Sequence, residues 1–492
     1  MWYSLRENYF TKTTYKINKL KMFLSNKKNI LLFTILFIFI GIFLRVYQLN
    51  FENYWLDEMI SFWVADPTLS LDDTFSRRDQ IEQSPILFDL ILKQYLEFFN
   101  YDPEIGRHVP LIFGILSIPL LGMLSYQVSK NNSFLLSILL ISINIYLIKY
   151  SQETRPYSLV FFLSTINLIF YYKIISINIK FLKKIFFFLL FVIFSVITFS
   201  SHPFTFILFF SQILNSIYFF LFFKRKNHLF FLSIPIILLI YLFFNFDYII
   251  SQLSYREFFL SHESWKFFYN YYFSRFFGSK IMGLIYLSTL IYLIITFRKK
   301  IFLTLNNYLL LIFVFLFSYI VPLVYSYLKT PILTDRYIIF VLIPILILIS
   351  SLIFEIKNEK IRIFLLTFIL LPTIINNYAE IKNRMITKPE FTKFLNNIEK
   401  NKFKSLTINT PNKDELKVVE NYITSLNKFK SKNFKIYNIN KISKEEKMVW
   451  VICYEPLIGF DCTLPNNKEN KWKLVTTKQT HLLNVRLFKI AD

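Results

Sequence analysis

A succession of eleven apolar stretches, each near the length a helix needs to cross a bilayer, constrains this chain more than any other feature. They fall at 30–44, 107–128, 133–149, 156–174, 185–200, 203–223, 229–249, 281–297, 308–327, 337–354 and 363–379. Of the 492 residues 54% are hydrophobic, with 60 Phe and only 7 Gly, a make-up outside the range of ordinary soluble domains. The expected class is an α-helical polytopic membrane protein with about eleven transmembrane helices.

The formal net charge is +24. A nucleic-acid binder would gather such charge on one continuous face, whereas here it sits in short clusters between apolar runs, so nucleic acid is not an expected partner. The clusters read as topology signals. Lys12, Lys16, Lys19, Lys21, Lys27 and Lys28 precede the first stretch, which no small-residue cleavage site follows, so it reads as a retained span after a basic cytoplasmic N-terminus at 1–28. Between Glu82 and Arg107, the run from Pro85 to Phe99 places Asp89, Lys93 and Glu97 four residues apart on one helical stripe, which predicts a helix lying at the interface. With that run left out of the spans, four basic clusters become cytoplasmic: Lys173 with Lys180, Lys183 and Lys184; Lys224-Arg225-Lys226; Arg298-Lys299-Lys300; and Lys357, Lys360 and Arg362. Loops 50–106, 150–156, 201–203, 250–280, 328–336 and the tail after 380 then face the outer side.

The boundaries that follow are a transmembrane domain over 29–380 and a small outer-side α/β domain over 381–492. In the tail, helical patterns near 389–400 and 414–427 alternate with strand-like runs at Ser405–Asn409, Met448–Tyr454 and Val485–Ile490. The chain's two cysteines, Cys453 and Cys462, are both in this tail; they suit a disulfide in an oxidising compartment and equally suit two buried thiols. Neither a glycine-rich phosphate loop nor a Cys/His zinc spacing occurs.

This topology gathers polar residues on one face. Loop 50–106 brings the acidic pair Asp57-Glu58 and Glu82. The short link brings Tyr150-Ser-Gln-Glu-Thr-Arg-Pro-Tyr157, and other loops bring His202, His262 and Arg336-Tyr337. Carboxylates beside a membrane span are costly to desolvate, which makes the pair a candidate for catalysis or cation binding as well as for a plain loop cap or salt-bridge partner. A water-soluble acceptor and a lipid-borne donor would meet at such a face.

Four stretches in this order resemble the C-type (GT-C) integral-membrane glycosyltransferases that use polyprenyl-phosphate-linked sugars. They are Arg45 to Ala65 with Asp57-Glu58; Glu82-Gln-Ser-Pro-Ile-Leu-Phe with Gly106-Arg107; the Tyr150–Tyr157 element; and Asp335-Arg336-Tyr337. The similarity is to the protein O-mannosyltransferase-like family 39 and its bacterial relatives, including lipid A aminoarabinose transferases. It covers mainly the first 175 residues, more weakly to about 355. Where that family usually has Pro-Pro or His-Pro-Pro, this chain has Gln83-Ser84-Pro85.

The resemblance implies a GT-C fold and transfer of a monosaccharide from a polyprenyl-phosphate donor to a cell-envelope lipid, glycan or protein. The reaction would take place at the outer, periplasmic face of a bacterial-type inner membrane. It implies Asp57 as the base that takes the acceptor's proton, with Glu58 orienting it or raising its basicity. Arg155 and Arg336, with Tyr337, would hold the donor phosphate, since a guanidinium binds phosphate through paired hydrogen bonds; either arginine would also serve as an interfacial anchor. Glu153 and Tyr157 would support them. A divalent metal is possible by the same resemblance, with Glu82 and His262 or His202 as ligands, though a histidine in an aromatic loop also suits a plain hydrogen-bonding role. Rival readings are a transporter or flippase of a lipid-linked glycan, which would call for charges near helix midpoints and two related halves, and a glycan polymerase or ligase.

Overall fold

The computed structural model describes residues 27–81, 85–176, 179–244, 273–303, 306–329, 334–399, 405–409, 413–426, 435–437, 446–454 and 472–490. Helix α1 (Lys27–Val46) enters the bundle. Three short helices follow within the first loop: α2 (Leu56–Val64), α3 (Leu71–Ile81) and α4 (Leu87–Phe98). Then come α5 (His108–Ser129), α6 (Ser133–Ile143), α7 (Ile145–Tyr150), α8 (Tyr157–Ile175), α9 (Phe181–Phe199) and α10 (Phe206–Phe223). The bundle is completed by α11 (Ile234–Phe244), α12 (Lys280–Leu303), α13 (Leu309–Leu328), α14 (Leu342–Glu355) and α15 (Glu359–Lys382). Ten helical stretches among the described residues are long and apolar enough to cross a membrane. The chain is a multi-pass membrane protein.

The expected span at 133–149 is instead two helices, broken at Asn144. The apolar pattern runs through this point without Pro or Gly, and the cause of the break is tertiary. Arg45, buried at the end of α1, donates to the carbonyls of Ile141 (3.0 Å) and Ser142 (3.2 Å), and Asn377 of α15 donates to that of Ile143. The Asn144 side chain accepts the Leu147 N–H at 2.9 Å, capping α7, and donates to the Phe276 carbonyl at 3.1 Å. Broken backbone is tolerated at membrane depth only when its polar groups find such partners. The break re-aims α7 and so directs the link at 150–156.

The 335–355 stretch is the most enclosed, with nearly every side chain of α14 buried, which explains why it is apolar all round. Small polar residues let its neighbours approach: Ser137 bonds Ser350 and, at 2.8 Å, Ser125, while Ser133 meets Ser351 at 3.4 Å, joining α5, α6 and α14. By contrast few residues of α1, α9 and α15 are buried, as in lipid-facing helices.

The described connections alternate between two ends of the bundle. At one end Tyr172 donates to the Asn307 carbonyl (2.6 Å), Asn307 to that of Val128 (3.3 Å), and Lys300 pairs with Glu355 (2.6 Å). At the opposite end lie the first loop, the link and the tail. The tail carries α16 (Phe391–Glu399), α17 (Lys413–Ser425) and a five-stranded sheet of β1 (Ser405–Asn409), β2 (Lys435–Tyr437), β3 (Met448–Tyr454), β4 (Trp472–Thr480) and β5 (Leu483–Ile490). The strand order is β2-β1-β3-β5-β4, with β1 parallel to both neighbours and the β3–β5 and β5–β4 pairs antiparallel. Cys453 is disulfide-bonded in β3, and Cys462 lies outside the described residues.

The first loop packs into the tail. Met59, Phe62 and Trp63 of α2 share one apolar core with Phe391, Phe394, Tyr422 and Trp450. The expected interfacial helix is α4, too short at 12 residues to span, but its charged stripe does not all face water. Asp89 is buried against Arg78 (2.8 Å), and Lys93 donates to the Leu69 carbonyl (2.6 Å) and the Thr74 hydroxyl (2.8 Å). The spacing located one face of α4 and misjudged what covers it: α3 and the turn leading into it supply the partners.

Cysteines introduced at Gln94 and Lys478, both exposed, should react with a membrane-impermeant thiol reagent from one side, and one at Lys299 only from the other. Equal reactivity of all three in sealed vesicles would overturn the alternation.

Candidate active site

The acidic pair opens α2. Trp55 is extended at the N-cap, and Asp57 and Glu58 occupy the first turn, where the positive end of the helix dipole favours carboxylates. Consecutive helical residues point about 100° apart, so the two acids face different surroundings.

Glu58 points inward and is fully buried. Its carboxylate accepts the Thr154 N–H at 2.9 Å and the Trp55 N–H at 3.4 Å, pairs with the Lys388 ammonium at 2.5 Å, and lies 3.8 Å from Arg107 Nε. Asp57 points to a partly open surface, its side chain 23% exposed, and pairs with Arg336 at 2.9 Å. Arg336 comes from the 3-10 turn Asp335–Val341 that leads into α14. Its guanidinium carbon lies 5.0 Å from the ring centroid of Trp55, 5.7 Å from that of Tyr157 and 5.9 Å from that of Tyr337. The result is a carboxylate and a guanidinium side by side in an aromatic cup, the charge held in part by ring faces.

The link is stapled to the first loop residue by residue. Gln152 donates to the Arg45 and Tyr47 carbonyls, both at 2.9 Å. Thr154 donates its hydroxyl to Tyr54 at 2.6 Å. Arg155, expected beside Arg336 at the donor phosphate, is buried and donates to the Asp57 carbonyl (3.1 Å) and the Ser61 hydroxyl (3.0 Å), bridging one turn of α2. Glu153 faces Lys388 at 3.8 Å; burial pushes its carboxyl above the ordinary range, the Lys388 charge opposing the rise and that of Glu58 adding to it.

His202 packs against Tyr337 and Tyr157, and its Nδ1 accepts the Phe204 N–H at 3.2 Å. Glu82 and His262 lie outside the described residues. Among the described residues no group of three His, Cys, Asp or Glu side chains converges as a metal site would require. Of the expected site residues, the fold therefore joins Asp57, Arg336, Tyr337, Tyr157 and His202 in one cluster and Glu58 and Glu153 in a second behind it, with Arg155 between.

Several partners carried no signal in the sequence. The linker from α15 to the tail supplies Lys388 and also Arg384, which bonds the Gln48 carbonyl at 3.2 Å and approaches Glu52 at 3.7 Å. Thr387 donates its N–H (2.6 Å) and hydroxyl (2.8 Å) to Glu52. Tyr422 of α17 accepts the Tyr54 N–H at 3.0 Å, and Tyr454 at the end of β3 bonds the Leu56 backbone. The tail thus holds the strand of chain leading into α2.

No protein-family model matches this chain, and no curated protein matches it by sequence. Its fold does match solved structures. ArnT from Cupriavidus metallidurans bound to undecaprenyl phosphate superposes with a TM-score of 0.55 at 10% identity, over 92% of this chain and 97% of that one. The same protein in the apo state gives 0.55 at 9% identity, over the same shares of each chain. The oligosaccharyltransferase of Archaeoglobus fulgidus in the apo form gives 0.51 at 12% identity, over 81% of this chain and 60% of that one. The chain has the GT-C fold that the resemblance implied, with a small sheet domain at its C-terminal end.

Glu52 offers a test of the linker's attachment. Burial works to raise its carboxyl, but the Thr387 hydrogen bonds and the charges of Lys388 and Arg384 outweigh it and hold the group below its ordinary value. A carboxyl lowered by folding contributes stability above its unfolded pKa and loses it as pH falls through the folded one. The thermal midpoint of the wild type should therefore fall more steeply than that of Glu52→Gln between about pH 5 and about pH 3. Parallel curves would mean that the Glu52 contacts do not form.

Proposed function

We propose that this protein is a glycosyltransferase that moves a monosaccharide from a polyprenyl-phosphate donor to a cell-envelope acceptor, with its active site on the outer face of the inner membrane. The observation that carries the reading is the Asp57–Arg336 pair in its aromatic cup, at the bundle end covered by the tail. A base and a phosphate-binding cation lie within one ion-pair distance. The GT-C fold, shared with an ArnT structure that holds undecaprenyl phosphate, supports a lipid-linked donor.

In the resting site the two groups neutralise each other. A guanidinium beside a carboxylate lowers its basicity, so Asp57 is a poor base while Arg336 stays on it. The donor's phosphodiester gives Arg336 a competing anion that it can grip through two hydrogen bonds, and that exchange leaves the Asp57 carboxylate to the acceptor. Asp57 then takes the proton of the acceptor hydroxyl as its oxygen bonds to the anomeric carbon. The bond from that carbon to the phosphate oxygen breaks, and polyprenyl phosphate departs with one more negative charge. Arg336 stabilises that charge as it develops, the point at which electrostatic catalysis is strongest. Such a single displacement inverts the anomeric centre. Trp55, Tyr157 and Tyr337 supply flat apolar faces beside the reacting carbon, and Arg155 keeps the Asp57 turn in register.

Purified protein in detergent, given a labelled polyprenyl-phosphate sugar and envelope acceptors, should form product. A flippase has no task without a membrane barrier, so sustained inactivity across donors and acceptors would favour that rival. Asp57→Asn keeps the shape and removes the basicity, so transfer should fall by roughly 100- to 10,000-fold with folding intact. Near-normal transfer would remove Asp57 from the chemistry. Arg336→Lys keeps the charge and loses the fork; it should raise the donor concentration needed for half-maximal rate by about tenfold or more. The corresponding Arg155→Lys should lower thermal stability more than donor use, because its two acceptors belong to α2.

A further inference from the structure

Lys388 is a buried lysine with an unusual position. It belongs to the linker between the last membrane helix and the tail domain, and its ammonium lies 2.5 Å from Glu58 and 3.8 Å from Glu153. Those carboxylates come from the helix that carries Asp57 and from the link that grips that helix, and both are almost entirely enclosed. One oxygen of Glu153 is buried with no hydrogen-bond partner. The other charges facing the group are Arg107, 3.8 Å from Glu58 and stacked over Tyr54; Lys149 and Arg336, acting on Glu153 at longer range; and Glu52, which feels Lys388 from the first loop. Without Lys388, two buried carboxylates would face each other with Arg107 committed to only one of them.

We propose that Lys388 is a positioning residue of the active site: its ammonium bridges Glu58 and Glu153, and so locks the first turn of α2, with Asp57, against the 150–156 link. The tail domain thereby acts as part of the transferase core, through a side chain that touches neither donor nor acceptor. What the locked turn accomplishes rests on the proposed function; the bridge itself does not.

The physical consequence is a pH dependence that simple packing would not produce. Two enclosed carboxylates lacking their cation share one proton, as like charges at close range must. That sharing is satisfied at low pH and becomes costly as pH rises. In the full-length protein, Lys388→Met should therefore lose transfer by roughly tenfold or more near pH 8.5 and recover to within a few-fold of wild type near pH 6. Wild type should stay nearly level over that range, and the donor KM should stay close to the wild-type value. Adding Glu153→Gln to Lys388→Met removes one of the opposed charges, so it should restore most of the loss and flatten the profile. Lys388→Arg, which keeps the cation, should retain the wild-type profile.

Thermal midpoints of the same variants over the same pH range give an arm that does not depend on sugar transfer. If wild type proves inactive, the proposed function fails, while a Lys388→Met midpoint that drops with rising pH and is rescued by Glu153→Gln still upholds the bridge. If Lys388→Met keeps the wild-type pH profile in both arms, or loses equally at every pH without rescue, Lys388 is a packing residue and the proposal is overturned.

Discussion

The Glu58 carboxylate is the interaction on which the arrangement of the proposed active site depends. It draws an amide from its own helix cap, an amide from the 150–156 link and an ammonium from the tail linker onto two oxygen atoms. Three parts of the chain, separated by as many as 330 residues, are thereby fixed to one helical turn. A buried charge is affordable only when such partners satisfy it, and breaking a buried ion pair by removing one member typically costs about 3–5 kcal/mol. The same cost that makes Glu58 demanding makes the turn specific, because few other arrangements would supply its partners at once. Asp57 inherits that rigidity and points the other way.

A second constraint lies deeper. The link can reach α2 only because the α6–α7 stretch breaks at Asn144, and the break survives among apolar helices only because Arg45, Asn144 and Asn377 take up the loose backbone groups. Arg45 therefore connects the first membrane helix to the placement of the site. Its guanidinium has carbonyls for partners at the C-terminal end of α6, where the negative end of a helix dipole suits a cation. Gln152, in turn, bonds the Arg45 carbonyl, so the break and the link are tied at the same residue.

Much of the fold was legible because hydropathy and basic clusters act locally: a span announces itself in about twenty residues. The three strand-like runs and two helical patterns of the tail were readable for the same reason. Asp57 and Arg336 stood out through stretches that resemble those of a known family, and the fold brings them to 2.9 Å. What escaped reading depended on distant partners. Lys388 is one of 56 basic residues, and nothing in its local pattern separates it from those on solvated faces. The inward turn of Asp89 and Lys93 depends on where α3 packs, and the break at Asn144 on side chains from other helices. Arg155 had the right chemistry for phosphate, and only the geometry of α2 reveals what its donors are already holding.

These two layers divide the labour of the site. Behind α2, Glu58, Glu153, Lys388 and Arg107 form an enclosed cluster of charges, with Arg155 clamping α2 beside it, and the enclosure leaves these side chains little room to move. In front of it, Asp57 and Arg336 are each about a quarter exposed and hold one another by a single ion pair. Partly exposed pairs are weak compared with enclosed ones, since water and salt compete for both charges. On the proposed reading that weakness is functional: the donor phosphate needs only to outbid one carboxylate for Arg336, while the frame that aims Asp57 stays fixed. The base is thus masked until the leaving group is held, which disfavours deprotonation of an acceptor before a donor is in place.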